Sequence, residues 1–367
     1  MDNISRNDLQ NTPTSNHGHV SIILINWNRW ADTIECIESL LKQTYQHFTI
    51  FVVDNDSSDD SLERIDAYVN RRLSPHIPEE DSVAENVLPL GTLPIKTKVI
   101  SEFDLDKFSM EDFVPFSVVV IKNSKNYGFG YANNQIMRLV VKSKQSGYVW
   151  VLNNDTVQDH SALEALIIEA NRDPAIGIVG SILAYYDEPQ TLQCAGGAYF
   201  FPFLGFAKLY YKNAPRELLP EMSANSIEKS INFLPGTSIL LRKDILQKVG
   251  IFDKDYFMYA EDIDLSYRVK QLGYRIRVAK NSIIYHKESK STAGRKHMFY
   301  FLFNRGNTVL LKKHFSPLIF VMAIPAMLAH TFLQSWNLNH VWFALKGIWA
   351  GITQPVTKRK RLRKQTL

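Results

Sequence analysis

Short continuous apolar runs alternate with stretches of helical spacing over the first half of the chain. "HVSIILINWN" (His19 to Asn28) is apolar and ends in polar residues, so it reads as a strand buried on both faces. "WADTIECIESLLKQTY" follows with Ile34, Ile37, Leu40 and Leu41 at helical spacing, and Asp32 is placed as its N-cap. "FTIFVVDNDSSDDSLERI" gives a second buried strand, an Asx- and Ser-rich turn, then a helix. This β-α-β-α order is that of a parallel sheet with crossover helices.

The rhythm breaks between Arg71 and Pro115, a proline-bearing stretch with no sustained period. It reads as an insertion on the scaffold, either a solvated loop or a segment with a lid or partner-binding role. The sheet resumes with "FSVVVIKN" (Phe116 to Asn123), a glycine-bearing loop "NYGFGYANN" and a helix "QIMRLVVKSK". "YVWVLNNDT" is a fourth strand, "SALEALIIEANRDP" a helix stopped near Pro174, and "IGIVGSILAYY" another strand. Beyond it, "GGAYFFPFLGFAKLYY" reads as antiparallel, and "INFLPGTSILLRKDILQKVG" as a strand leading into a helix. The expected fold class is α/β: a doubly wound, mostly parallel sheet with helices on both faces and mixed structure at one edge.

Composition narrows the function classes. Charged residues make up 22% of the 367, and the net charge of +5 is concentrated in "KRKRLRK" (Lys358 to Lys364). The remainder is nearly neutral, which excludes a broad nucleic-acid-binding face. Cys36 and Cys194 show no zinc spacing, so a reducing compartment fits better than a disulfide framework. The polar residues 1–18 lack the apolar region of a signal peptide and read as a disordered lead-in.

In open α/β sheets, ligands bind beyond the carboxyl ends of the strands. Three such ends are polar here: "INWN" with Asn26, Trp27 and Asn28; "VVDNDSSD" with Asp54; and "LNNDT" with Asn153, Asn154 and Asp155. The "NYGFGYANN" loop adds Asn126, Gly128, Gly130 and Asn134, its glycines permitting close backbone approach to a ligand. Asp155, backed by two amides, suits a hard cation such as Mg²⁺ or Mn²⁺ that keeps water and phosphate as its other ligands. His286, ending "SIIYH", is either a further ligand or a histidine that only hydrogen-bonds at a strand end.

"YAEDIDLSYRVKQLGY" (Tyr259 to Tyr274) crowds Glu261, Asp262 and Asp264 into the first turn of a helix over Asp262 to Leu272, with Gly273 as its stop. Acidic residues there complement the helix dipole, and Asp264 with Arg268 forms an i, i+4 pair. One cap needs only one carboxylate, however, and the aromatic approach "FDKDYFMYAED" would partly desolvate the group. A carboxylate in such a rim is a candidate general base.

Taken in order, "VSIILINWN", "VVDNDSSDDS", "NYGFGYANN", "LNNDT", the Gly250–Tyr274 block and "IIYHKESKST" resemble the family 2 glycosyltransferases of the GT-A fold, in their rhamnosyltransferase-like branch, over residues 19–314. That resemblance implies inverting, metal-dependent transfer of a sugar, rhamnose by the branch, from a nucleotide-sugar donor to a lipid-linked or growing surface-polysaccharide acceptor. It assigns the "INWN" end and Asp54 to the nucleotide, Asp155 to the last position of the metal-binding DxD, and Asp262, preceded by Glu261, to the catalytic base. Asn153 stands where many members carry the first aspartate. The resemblance also implies that His286 contacts the metal or diphosphate and that Arg305 faces the leaving diphosphate.

"PLIFVMAIPAMLAHTFL" (Pro317 to Leu333) is strongly apolar, "VWFALKGIWAGI" is Trp-bearing and amphipathic, and a basic tail, 355–367, follows. Three readings of residues 315–354 stand at this point: helices lying on a membrane surface, packed core helices, or a true span. The first would place the enzyme in the cytoplasm, peripheral on the inner face of the cytoplasmic membrane. A processive synthase is excluded by the lack of several spans and of a QxxRW sequence. An inactive sugar-binding scaffold subunit and a nucleotidyltransferase are the rival readings.

Overall fold

A computed structural model describes residues 18–70, 96–109, 117–144, 146–287 and 296–356. The lead-in, the basic run from Lys358, most of the proline-bearing insertion and the end of the "IIYHKESKST" motif lie outside these residues.

The strands are β1 (His19–Asn26), β2 (Phe48–Asp54), β3 (Lys96–Ser101), β4 (Ser117–Lys122), β5 (Ser146–Asn153), β6 (Thr156–Gln158), β7 (Ile176–Tyr185), β8 (Leu192–Cys194), β9 (Ala198–Phe201), β10 (Phe206–Leu209), β11 (Ser238–Arg242) and β12 (Arg275–His286). The helices are α1 (Trp30–Leu41), α2 (Ser61–Val69), α3 (Phe129–Lys142), α4 (Ala162–Asn171), α5 (Ala224–Ser230), α6 (Lys243–Val249), α7 (Glu261–Gln271), α8 (Lys296–His314), α9 (Pro317–Ser335) and α10 (Leu338–Thr353).

The main sheet runs β3-β4-β2-β1-β5-β11-β7-β12-β6, with β8 on β7 and a separate β9–β10 hairpin. Strands β3 to β5 of this order pair in parallel, whereas β11 inserts antiparallel between β5 and β7. The chain order reverses direction around β1, flanked by β2 and β5, so the crevice beyond Asn26 is a topological switch point. Both sheet faces are covered. Val20, Ile22 and Leu24 pack toward α1 and Ile37, while Ile23 packs toward α3 and Ile136. That is why β1 reads as a continuous apolar run rather than an alternation.

Three elements depart from the sequence reading. Residues 96–101, inside the stretch read as lacking structure, form β3 at the sheet edge; only Ile100 is buried there, so the apolar signal is too sparse to register. Helix α3 starts at Phe129, earlier than expected, because Gly130, Asn133 and Asn134 are buried against the rest of the domain, and packing overrides their weak propensity. Asp32 does not cap α1. Arg29 takes the cap position, and Asp32 sits in the first turn bonded to Lys287 and Arg29.

Candidate active site

The carboxyl ends of β1, β2 and β5 are tied together by one polar chain. Asn26 Nδ2 donates to Asp54 Oδ1 at 2.7 Å and to Ser57 Oγ at 3.1 Å. Thr33 Oγ1 on α1 donates to Asn26 Oδ1 at 2.8 Å, and Asn154 Nδ2 donates to Thr33 Oγ1 at 2.8 Å. Asp54 also receives the Ser57 hydroxyl at 2.6 Å, so this buried carboxylate fixes the turn after β2. Asn28, at φ 56°, accepts from the Ser58 backbone N–H at 2.7 Å and locks the β1 exit to that turn. An asparagine tolerates this left-handed position better than most residues. Trp27, beside it, is half-buried.

Asp155 lies two residues beyond the end of β5. Its Oδ1 lies 3.2 Å from His286 Nε2 at the end of β12, and the Lys287 backbone N–H donates to the Asp155 carbonyl at 3.0 Å. Burial works against ionising Asp155, but the neighbouring imidazole outweighs it and holds its pKa below the ordinary carboxylate value. His286 Nδ1 is 2.8 Å from Gln193 Oε1. In the absence of a cation an Nε2–H faces Asp155; with Nδ1–H held on Gln193, a bound metal would take the place of that Nε2 proton, as a metal-ligating histidine requires. One carboxylate and one imidazole therefore fit part of a divalent cation's shell, with phosphate oxygens and water for the rest. Among the described residues no group of three such side chains gathers, so the donor must complete any site.

The acid cluster divides into three roles. Tyr259 (φ 68°) and Ala260 (φ 69°) hold left-handed conformations immediately before α7, a strained approach that sets where the helix begins. Gly306 of α8 packs on this turn; a Cβ there would stand 2.5 Å from the Tyr259 carbonyl oxygen. Asp264 is structural. Its carboxylate meets Arg268 Nε at 2.8 Å and His314 Nε2 at 2.7 Å, and although burial would raise its pKa, these two partners bring it down to about 2. Glu261 is buried with Oε2 lacking any hydrogen-bond partner, and burial together with Asp262 pushes its pKa up to about 8. Asp262 is only partly buried; its Oδ2 accepts from Gly236 N at 2.9 Å and its Oδ1 from Ile263 N at 2.8 Å. Desolvation raises its pKa while these backbone donors oppose the rise.

Glu261 gives a pH-dependent stability. Its folded pKa lies above its free value of 4.5, so the folded state holds the extra proton and loses stability as pH rises from 4.5 towards 8. Glu261→Gln removes that loss. Its thermal midpoint should exceed wild type at pH 8, by the equivalent of about 1–3 kcal/mol, and converge with it near pH 4. A gap between variant and wild type that is the same at the two pH values would refute the neutral state of Glu261.

The two halves are linked through the two residues that lead into β11. Asp262 is bonded to the Gly236 N–H, and the next residue, Thr237, accepts at its carbonyl from Asn153 N at 2.9 Å. The bonded path from the Asp262 carboxylate to the Asp155 backbone is at most about 23 Å, given 3.8 Å between successive Cα atoms.

Not every sequence candidate faces that crevice. Asn134 is 2% exposed and pairs with the Phe252 backbone in both directions, at 2.9 and 3.0 Å. It clamps α3 to the loop leading to α7, which corrects its assignment to the nucleotide. Gly128 (φ 81°) is required for a different reason than ligand approach, since a Cβ there would lie 2.2 Å from the Phe257 carbonyl oxygen. Asn126 Oδ1 accepts from Gly128 N at 2.9 Å and Asn55 Nδ2 at 3.0 Å, shaping the same loop. Arg305 donates to Gln354 Oε1 at 2.6 Å and to the Asp255 carbonyl at 3.3 Å, with Nη1 buried and unpartnered. Thr33, Gln193 and Gly236 escaped sequence reading. Only the Pro-Gly pair at 235–236 carried a local signal, that of a turn.

Residues 105–301 match the family described as "Glycosyltransferase like family 2", and residues 21–78 match "Glycosyl transferase family 2". The chain belongs to the family 2 glycosyltransferases. It is 27% identical over 188 residues to an N-acetylglucosaminyl-diphospho-decaprenol L-rhamnosyltransferase of Mycobacterium tuberculosis, covering 47% of this chain and 59% of that one. It is 29% identical over 156 residues to the rhamnosyltransferase WbbL of Escherichia coli K12, covering 41% and 57%. The chain thus aligns with less than two thirds of the length of either relative. In fold it is similar to GalNAc-T7, crystallised with UDP, GalNAc and Mn²⁺, at TM-score 0.53 and 13% identity over 82% of this chain and 48% of that one. This is the mixed α/β, mostly parallel architecture expected from the sequence, and the family disposes of the nucleotidyltransferase reading.

Proposed function

We propose that the protein transfers a sugar, rhamnose by likeness to its relatives, from a nucleotide-diphosphate sugar to a hydroxyl of a lipid-linked or growing polysaccharide acceptor, with inversion. It would work in the cytoplasm at the inner face of the membrane. The supporting observation is the bridge just described: Asp262, anchored on Gly236 N, is one residue along β11's lead from the Thr237–Asn153 contact.

The acceptor hydroxyl is a weak nucleophile, and Asp262 is placed to take its proton as the new C–O bond forms and the bond to the leaving diphosphate breaks. Two of its lone-pair directions are held by backbone N–H groups, which leaves others for the proton. A neutral Glu261 keeps Asp262 the sole charge of the pair at neutral pH. On the donor side, the Asn26–Asp54–Thr33–Asn154 chain holds three strand ends at fixed spacing for the nucleotide. Asp155 and His286 would hold a Mg²⁺ or Mn²⁺ ion, which when bound offsets charge on the diphosphate.

Excess chelator should abolish turnover, and isothermal titration should show Asp155→Ala binding Mn²⁺ with nucleoside diphosphate at least ~10-fold more weakly. Full activity in chelator, with unchanged titrations, would remove Asp155 and His286 from the site. Turnover of a panel of nucleotide sugars, with and without acceptor, tests the transferase reading itself. No consumption of any donor would favour a scaffold subunit.

A further inference from the structure

We propose that α9 and α10 lie together in the plane of an anionic lipid bilayer and dock the enzyme on it through their outward faces. The exposed face of α9 is apolar but for Gln334 near its end: Leu318, Val321, Met322, Pro325, Ala329 and Leu333, continued by Trp336 after the helix. Exposed α10 carries an apolar stripe of Leu338, Trp342, Leu345, Trp349 and Ile352 at i, i+4, i+7, i+11 and i+14, edged by the polar Asn339, Lys346 and Thr353. Trp336, Trp342 and Trp349 are 75%, 54% and 66% exposed. A helix on a water-facing surface carries polar residues on that side; here the pattern is inverted on two neighbouring helices. The β9–β10 hairpin abuts α9, with Phe206 stacked on His330 at 4.1 Å, and its exposed Phe203 and Leu204 adjoin the same region.

Charge selects the occupant. From Ser289 to Leu367 the chain carries 13 Lys and Arg and no Asp or Glu, leaving residues 1–288 at net −8; of the 13, Arg305, Lys312 and Lys313 are bonded within the protein. An anionic headgroup layer complements this segment, and tryptophans beside cations are suited to the interface. A second copy would set the same cationic segment against itself. A crossing of the bilayer by α9 is opposed by its attachment. Ala323, Met327 and Thr331 form a buried stripe, and a Cβ at Gly205 of the hairpin would stand 2.4 Å from Met327 Cγ. Only 17% of its most apolar stretch is buried, so it is not a core helix either. Helix α10 is fixed on the catalytic domain, since Lys312 of α8 donates to the Gly351 and Gln354 carbonyls at 2.9 and 3.0 Å. The docking deepens the transfer reading, and rests on it only in naming the bilayer as the source of the acceptor.

Flotation of the full chain with phosphatidylcholine vesicles, with and without phosphatidylglycerol, tests this without donor or acceptor. Binding is expected on the anionic vesicles, weakened by high salt and released by alkaline carbonate. The double variant Trp342→Ser, Trp349→Ser should bind at least ~10-fold more weakly, with its melting temperature and donor turnover unchanged. Undiminished binding by the variant, equal binding to neutral vesicles, or retention in carbonate would overturn the proposal. So would a wild-type dimer in ultracentrifugation that the variant abolishes. Failure of transfer with intact vesicle binding would instead count against the transferase reading alone.

Discussion

Asp262→Asn lowers sugar transfer by about 10²–10⁴-fold, the range typical of a lost general base, while nucleoside diphosphate binding stays unchanged. The amide preserves the size of the side chain, and its oxygen can still accept from Gly236 N or Ile263 N. What it cannot do is take a proton. The loss should therefore appear in kcat and kcat/KM together, as expected for an interaction needed only in the transition state. Calorimetry of nucleoside diphosphate binding alongside single-turnover transfer separates the two effects. Substantial transfer by the variant would take Asp262 out of the chemistry. A parallel loss of nucleotide affinity would make it a structural residue instead.

Arg268→Met should cost about 3–5 kcal/mol of stability, the penalty for leaving a buried charge without its partner. Arg268 is 1% exposed on its side chain and donates to Asp264 and to the carbonyls of Val249, Gly250 and Ile251. Removing it leaves Asp264 with His314 alone, and three carbonyls of the turn before the acid cluster lose their donor. Because Asp264 is held ionised at a pKa near 2 in the folded state, its contribution is complete above its free value of 3.8 and disappears as pH falls through 2. The deficit of the variant, read by denaturant melts, should thus be full at pH 7 and shrink in strong acid. A variant as stable as wild type at pH 7 would contradict the structural role given to this pair.

The parallel half of the sheet was legible because its strands are buried on both faces and end in polar residues. β1, β2, β4 and β5 all follow that rule. β3 was not legible, since an edge strand with one buried residue presents no pattern. Among the acids, the sequence singled out the turn but could not divide the labour. Asp264 was readable from its i, i+4 spacing to Arg268. His314, which shares it, arrives from a helix 50 residues away. Asn134 read as a loop amide facing ligand, yet its partner is a backbone 118 residues on. Thr33 likewise links strand ends through contacts that no local pattern encodes. The inverted polarity of α9 and α10 was half visible: hydrophobic spacing was evident, but which stripe faced the domain required the fold.

Crystals grown with Mn²⁺ and a nucleoside diphosphate, with the manganese located by its anomalous signal, give the most direct test. The ion should be bonded to Asp155 and His286, the diphosphate should lie over the β1 and β5 ends, and the Asp262 carboxylate should face the open side of the bound phosphate. An ion held elsewhere, or a nucleotide with no continuous space between it and Asp262, would contradict a single shared site.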